Sequence, residues 1–305
     1  MQIIDAEAHV MGALIREEIL PDKAWTYPYN PPRPNNLAHE VRAQLMDPSH
    51  NKLFVEDLIA TMDEHGVERA VIQPGASTLT NDEVVQVLAQ YPDRFIGFGR
   101  WDHFDPRPGK RGSGGMLEAA DAMERGIRDL GLRGIGEVAL GFWYPIPPDE
   151  VHMHVRPMME VAAAYSVPVA FHTGWHAHGF SLRYEQPILL DDIALEYPEV
   201  PIIFNHMGCS DRLFFDQALM VARRHERVFL QTSHTRTEFV EEAVNAIGAE
   251  RVLFGSDFNV EYRSKARSLG IDIVGINIRT VSEARISDDA KEKIFAGNLA
   301  ELLGI

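Results

Sequence analysis

Four short apolar runs in the sequence each lead to side chains that bind metals or carry protons. Ile3-Ile4-Asp5-Ala6-Glu7-Ala8-His9 is the first, and the runs through His172, His206 and Asp257 follow it. Glu7 and His9 stand two apart, so on an extended chain they point to one face. A carboxylate oxygen and an imidazole nitrogen offered together can chelate a divalent ion such as Zn2+ or Mn2+. His172 and Asp257 end later runs and would complete the coordination sphere from around a common centre. Three or four protein ligands with one open position define a catalytic metal site rather than a structural one. His206 ends the run after His172, where an acid or base would act on a substrate or on an activated water; its alternative is a further ligand. Each residue alone has an ordinary explanation, a strand-end histidine bonded into the core or a solvated glutamate. Their joint occurrence at strand ends is what points to a site.

The elements that must position these residues read as a regular alternation. Each run is short, β-branched or aromatic, and bounded by Pro, Gly or charge, as expected of a strand buried on both faces. Further strands are expected at Arg69–Gln73, Phe95–Gly99, Leu132–Ala139 and Val228–Thr232. Helices are expected over Asn51–His65, Asn81–Tyr91, Leu117–Leu130, Val151–Tyr165, Ile188–Tyr197, Arg212–His225, Thr237–Ile247 and Asp288–Leu303, with Asn81 as a cap. About eight βα units is the number that closes a parallel (β/α)8 TIM barrel, where polar side chains at the carboxyl ends of the strands build the active site. No linker or repeat divides residues 1–305, so one domain is expected. One insertion stands out at Met11–His50, with Trp25, Tyr27, Tyr29, several prolines, Arg33 and Arg42. It follows the first strand, so it reads as a lid over the catalytic face, the alternative being an arm used in oligomer contacts.

Composition narrows the possible functions. The 305 residues are 45% hydrophobic and 24% charged, which suits a globular chain with a large core. A net charge of −16 repels phosphate backbones, so nucleic acid is not an expected partner. A single cysteine, Cys209, excludes an internal disulfide and suits a reducing, cytoplasmic setting. No run approaches the ~18 apolar residues that span a bilayer, so no membrane partner is expected either.

These residues carry a resemblance to the amidohydrolase superfamily, in particular to the amidohydrolase-related branch that includes aminocarboxymuconate semialdehyde decarboxylase and the resorcylate decarboxylases. The opening strand, VPVAFHTG, YPEVPIIFNHMG, VLFGSDFN and the closing NLAELLGI carry it. The resemblance implies a metal-bearing barrel, with the metal on His9, His172 and Asp257, proton transfer on His206, and a homodimer. Two departures bear on the reaction. The usual His-x-His of the first strand is here Glu7-Ala8-His9, which is similar to the resorcylate-type decarboxylases and favours carbon–carbon cleavage. Glu137, in the fourth strand, resembles the bridging carboxylate of two-metal members. It would add a ligand there, or else contact the substrate or an inner arginine.

The expected activity is that of a metal-dependent hydrolase, in which a metal-activated water attacks a small carboxylated or cyclic substrate and Asp257 also moves the water proton. The alternative is a metal-dependent non-oxidative decarboxylase of a phenolic or enoic acid, with His206 or Asp257 protonating the carbon. Zn2+ is the first choice of cofactor and Mn2+ the second. Arg33, Arg42 or Arg183 would pair with a substrate carboxylate. Trp175 and His176 would line the pocket, while His178, His103 and His234 either orient substrate or are simply exposed. His152 and His154 lie in a helical context where i and i+2 do not share a face, which discounts them as ligands. Cys209 reads as a packing residue.

Overall fold

The computed structural model describes residues 1–10, 55–74, 79–101, 115–140, 148–174, 182–258 and 272–305. The 11–50 insertion with Arg33 and Arg42 lies outside them, as do His103, Trp175, His176 and His178.

Among the described residues eight strands form, all parallel to their neighbours. They are β1 (Ile4–Ala8), β2 (Arg69–Ile72), β3 (Phe95–Gly97), β4 (Ile135–Val138), β5 (Val169–His172), β6 (Ile202–Asn205), β7 (Val228–Gln231) and β8 (Val252–Leu253). β1–β3 make one sheet and β4–β8 another, each in sequence order. Parallel bridges Gly99↔Ile135 and Ala8↔Phe258 join the two sheets at both edges. The hydrogen bonds Gly136 N–H to Gly99 O (3.0 Å) and His9 N–H to Phe258 O (2.8 Å) reinforce them. The eight strands therefore follow one cyclic order, that of a TIM barrel. All eight expected strands are present.

Two apolar layers hold the ring together. Val71, Ile96, Phe98, Ala170, Ile203, Phe229 and Leu253 fill its interior, with Leu299 and Leu303 of the last helix packed beneath them. The opposite strand faces pack on the outer helices. These are α1 (Val55–His65), α2 (Asn81–Gln90), α3 (Gly115–Arg128), α4 (Val151–Tyr165), α5 (Asp191–Glu196), α6 (Arg212–Arg224), α7 (Thr237–Ile247) and α8 (Ile273–Ser282); α9 (Asp288–Glu292) and the last helix, α10 (Asn298–Leu303), follow, joined by a π turn at Lys293–Gly297. Among the described residues no helix is long and apolar enough to cross a membrane.

The strand pleat decides what lies above the apolar interior. Side chains two apart on a strand share a face. Val71, Ala170, Ile203 and Phe229 point inward, so Gln73, His172, Asn205 and Gln231 are the next inward positions at the carboxyl ends. On β2, β5, β6 and β7, apolar below and polar above, one face supplies both core and site, whereas β1 and β4 bring Glu7 and Glu137 to it across a shift of register.

Three local expectations need correction. Thr80, not Asn81, caps α2: its hydroxyl accepts the Glu83 N–H, and Glu83 reaches back to the Thr80 N–H. Helix α8 was not expected, because Ile273, Val274 and Gly275 at its start are weak helix formers. The Asp272 carboxylate nevertheless caps it, and Val274 and Val281 are buried. Finally, β8 ends at Leu253, so Asp257 lies four residues beyond the strand and reaches its position through a left-handed turn (φ 47°).

Candidate active site

At the carboxyl ends of the strands, three carboxylates and three imidazoles converge in a largely buried cluster. Glu7 is fully buried, His9, His172 and His206 are nearly so, and the side chains of Glu137 and Asp257 are 12% and 14% exposed. His9 Nε2 lies 3.1 Å from Asp257 Oδ1, 3.6 Å from Glu7 Oε1 and 3.7 Å from Glu137 Oε2. Glu137 Oε1 lies 3.0 Å from His172 Nδ1 and 3.1 Å from His206 Nε2, and those two ring nitrogens are 3.0 Å apart. The five residues proposed as ligands and the proposed proton carrier His206 are thus brought together.

A layer of neutral side chains fixes these groups. Asn205 Nδ2 donates to Glu7 Oε1 (2.6 Å) and to Gln73 Oε1 (3.0 Å). Gln231 Nε2 and Ser233 Oγ reach Glu7 Oε2 at 2.7 and 3.0 Å. Beneath them, buried Asp5 accepts the N–H of Ser256 and of Glu7, tying β1 to the loop that carries Asp257. Gln73, Asn205, Gln231, Ser233 and Ser256 were missed from sequence. Their signal was a polar residue ending or closely following a buried apolar run, the same pattern that marked His172.

Electrostatics follow from burial and crowding. Burial, then the charges of Asp257 and Glu137, push the Glu7 carboxyl well above the usual carboxylate range. Burial raises Asp5 to about 6, against the hydrogen bonds it accepts. For His9, burial favours the neutral ring, but the Asp257 and Glu7 carboxylates outweigh it and raise its pKa. Burial also works against the Glu137 charge, yet His172 and His206 hold it well below the ordinary value. His206 is lowered to about 4 by burial and by the neighbouring His172. Burial followed by the three carboxylates pushes the Cys209 thiol up, which keeps it protonated and supports its reading as packing.

The donor set fits a divalent cation. Glu7, His9 and Asp257 each offer an atom within 4.8 Å of the others, as do Glu7, Glu137 and His206. Three carboxylates forced together away from water need compensating positive charge. His9 adds a more specific sign. Its Nδ1 lies 2.6 Å from the Gln73 carbonyl, which can only accept, so Nδ1 carries a hydrogen and Nε2 is the nitrogen turned to Glu7 and Asp257. A histidine held by a backbone carbonyl on one nitrogen, with the other turned to carboxylates, is the usual arrangement of a metal ligand.

The remaining candidates divide. His234, left open from sequence, donates through Nε2 to Asp257 Oδ2 at 2.8 Å and belongs to the site. Arg183 is exposed on the short turn Leu182–Tyr184 after β5. His152 and His154 lie in α4 of the outer layer, as their discounting required.

The family model described as amidohydrolase matches residues 4–305. The chain belongs to the amidohydrolase family. It is an enzyme of that family. This amidohydrolase is 23% identical over 299 residues to a gamma-resorcylate decarboxylase of Polaromonas sp. (strain JS666), covering 79% of this chain and 82% of that one. Its fold matches an uncharacterized TIM-barrel protein of Bordetella bronchiseptica with a TM-score of 0.71 at 22% identity, over 100% and 99% of the two chains. It also matches a 5-carboxyvanillate decarboxylase of Novosphingobium aromaticivorans, solved with manganese and 3-methoxy-4-hydroxy-5-nitrobenzoic acid. That match has a TM-score of 0.64 at 18% identity, over 100% and 97%.

Proposed function

We propose that this amidohydrolase is a divalent-metal-dependent carboxy-lyase that removes CO2 from a small phenolic or enoic carboxylic acid. The observation that carries this reading is the buried Glu7–His9 pair facing Asp257 in place of a two-histidine strand. A curated relative named as a resorcylate decarboxylase supports it. From sequence alone, hydrolysis stood ahead of decarboxylation; the relatives and the Glu-x-His pair support the reverse order.

Glu7, His9, His172 and Asp257 would hold the cation, with Glu137 facing it from β4. Bound there, a divalent cation supplies positive charge that draws in the substrate carboxylate and an adjacent oxygen and offsets charge developing during the reaction. Three carboxylates among imidazoles suit Mn2+ as well as Zn2+, and the neighbour solved with manganese supports the former.

The chain's own groups then serve the proton. Loss of CO2 breaks the bond between the carboxylate and its carbon and leaves the electron pair on that carbon, where one proton must arrive. His206 is placed to relay it: neutral at rest, its ring takes the proton up at Nε2 and passes it to the carbon. Its Nδ1 is committed to Ser233 Oγ at 2.6 Å, which leaves Nε2 directed at the cluster. Asp257, with one oxygen on His9 and the other on His234, is the second carrier. Burial excludes water, which strengthens these interactions. Arg183, Arg33 and Arg42 are the candidate partners of a substrate carboxylate, and Trp175 and His176 the candidate pocket walls.

Incubating the Mn2+- or Zn2+-loaded enzyme with a panel of hydroxybenzoate-type acids tests the reading, with CO2 as the product measured. Release of CO2 with a stoichiometric decarboxylated phenol is expected. Silence across the panel, together with turnover of cyclic amides or esters, would reinstate hydrolysis.

A further inference from the structure

Helix α8 sends one side chain to the catalytic face, and that side chain is an amide rather than a ligand. Asn277 is 2% exposed. Its Oδ1 accepts the His234 N–H at 3.0 Å, and its Nδ2 donates to the carbonyls of Ser256 (3.0 Å) and Ile273 (3.1 Å). It therefore clamps the loop after β7 to the loop after β8, holding His234 itself and the residue just before Asp257. His234 (φ 52°) and Asp257 (φ 47°) are both left-handed without being glycine. Such residues persist where surrounding bonds over-determine them. Further bonds do so here: Ser210 Oγ donates to the His234 carbonyl, and the Ser256 N–H is held on Asp5. The outcome is a His234 ring whose Nε2 donates to Asp257 Oδ2 at 2.8 Å, while Asp257 Oδ1 stays turned to His9 at 3.1 Å.

We propose that Asn277 and His234 are positioning residues that act in series: the amide sets the loop, the loop aims the imidazole, and the imidazole turns Asp257 toward the cation. The metal affinity of the centre then depends on a helix that contributes no ligand. This rests on the reading of Glu7, His9 and Asp257 as a cation site. The His234 side chain is 40% exposed, so replacing it tests orientation without opening the core.

The test is a Mn2+ titration of chelator-stripped full-length protein, with free ion followed by electron paramagnetic resonance. Asn277→Leu and His234→Leu should each weaken Mn2+ binding by about 10- to 100-fold, as expected when an outer partner of a ligand is removed. Because the two act in one chain, the double variant should bind no more weakly than the worse single one. His234→Gln, whose amide N–H can still donate to Asp257, should recover most of the affinity, a rescue that a merely structural role would not produce. Thermal unfolding of the metal-free variants reports their fold, and if Asn277→Leu does not fold, the His234 variants decide. A His234→Leu protein that binds Mn2+ as tightly as the parent, or a glutamine that fails to rescue, would overturn the proposal. A parent protein that takes up neither Mn2+ nor Zn2+ would instead remove the metal reading itself, so the two failures are distinguishable.

Discussion

One hydrogen bond on one ring nitrogen determines what several of these side chains can do. The Gln73 carbonyl takes the Nδ1 hydrogen of His9 and leaves Nε2 to face the carboxylates. The pattern recurs at His206, where Ser233 holds Nδ1 and Nε2 faces Glu137 and His172. The same atom could serve as a metal ligand or as a proton carrier, and a single substitution separates the two. In His206→Asn, CO2 release should fall by about 100- to 10,000-fold, the range for loss of a general acid or base. Metal content by elemental analysis should stay at the parent level. A parallel loss of metal would make His206 a ligand instead.

At the scale of elements, strand ends and the loops behind them share the work. β5, β6 and β7 end in His172, Asn205 and Gln231, inward positions dictated by the pleat above Ala170, Ile203 and Phe229. The loop after β8 has to pass close beneath Gln231: a Cβ on Gly255 would stand 1.6 Å from its Nε2. Gly255→Ala therefore drives Gln231 off the Glu7 carboxylate it holds at 2.7 Å. The expected cost is about 1–3 kcal/mol of stability from overpacking, read by urea unfolding. Mn2+ affinity should drop by about tenfold or more in the same protein through loss of that outer contact. Unchanged affinity would show that Gln231 does not orient Glu7.

For the whole molecule, the ring of strands solves one electrostatic problem. Closing it brings Glu7 of β1 against Asn205 and Gln231 of β6 and β7, and concentrates three carboxylates where water is scarce. A bound cation should then stabilise the fold as well as the reaction. With free Mn2+ at a hundredfold its dissociation constant, stability should rise by about 2.7 kcal/mol over chelator-treated protein. The urea midpoint with and without chelator measures this, and coincident curves would mean that no cation occupies the cluster.

The sequence by itself determined the alternation of strands and helices, because each buried strand is a short apolar run bounded by breakers. It also determined the candidate ligands, because polar residues at the ends of such runs are costly to bury unless used. Glu7, His9, His172, His206 and Asp257 were all legible on that ground. Tertiary structure alone decided the rest. Asn205 and Gln231 read as strand-end amides until the barrel turned them onto Glu7, and Gln73 until it met Asn205. Asn277 sits in a helix whose Gly275 and β-branched residues hide it, and burial rather than propensity forms that helix. Asp257 reached its partners through a left-handed turn that no spacing rule foretells. Ligand identity is carried by residue type, whereas ligand orientation depends on contacts between segments 198 and 224 residues apart, which exist only once the ring has closed.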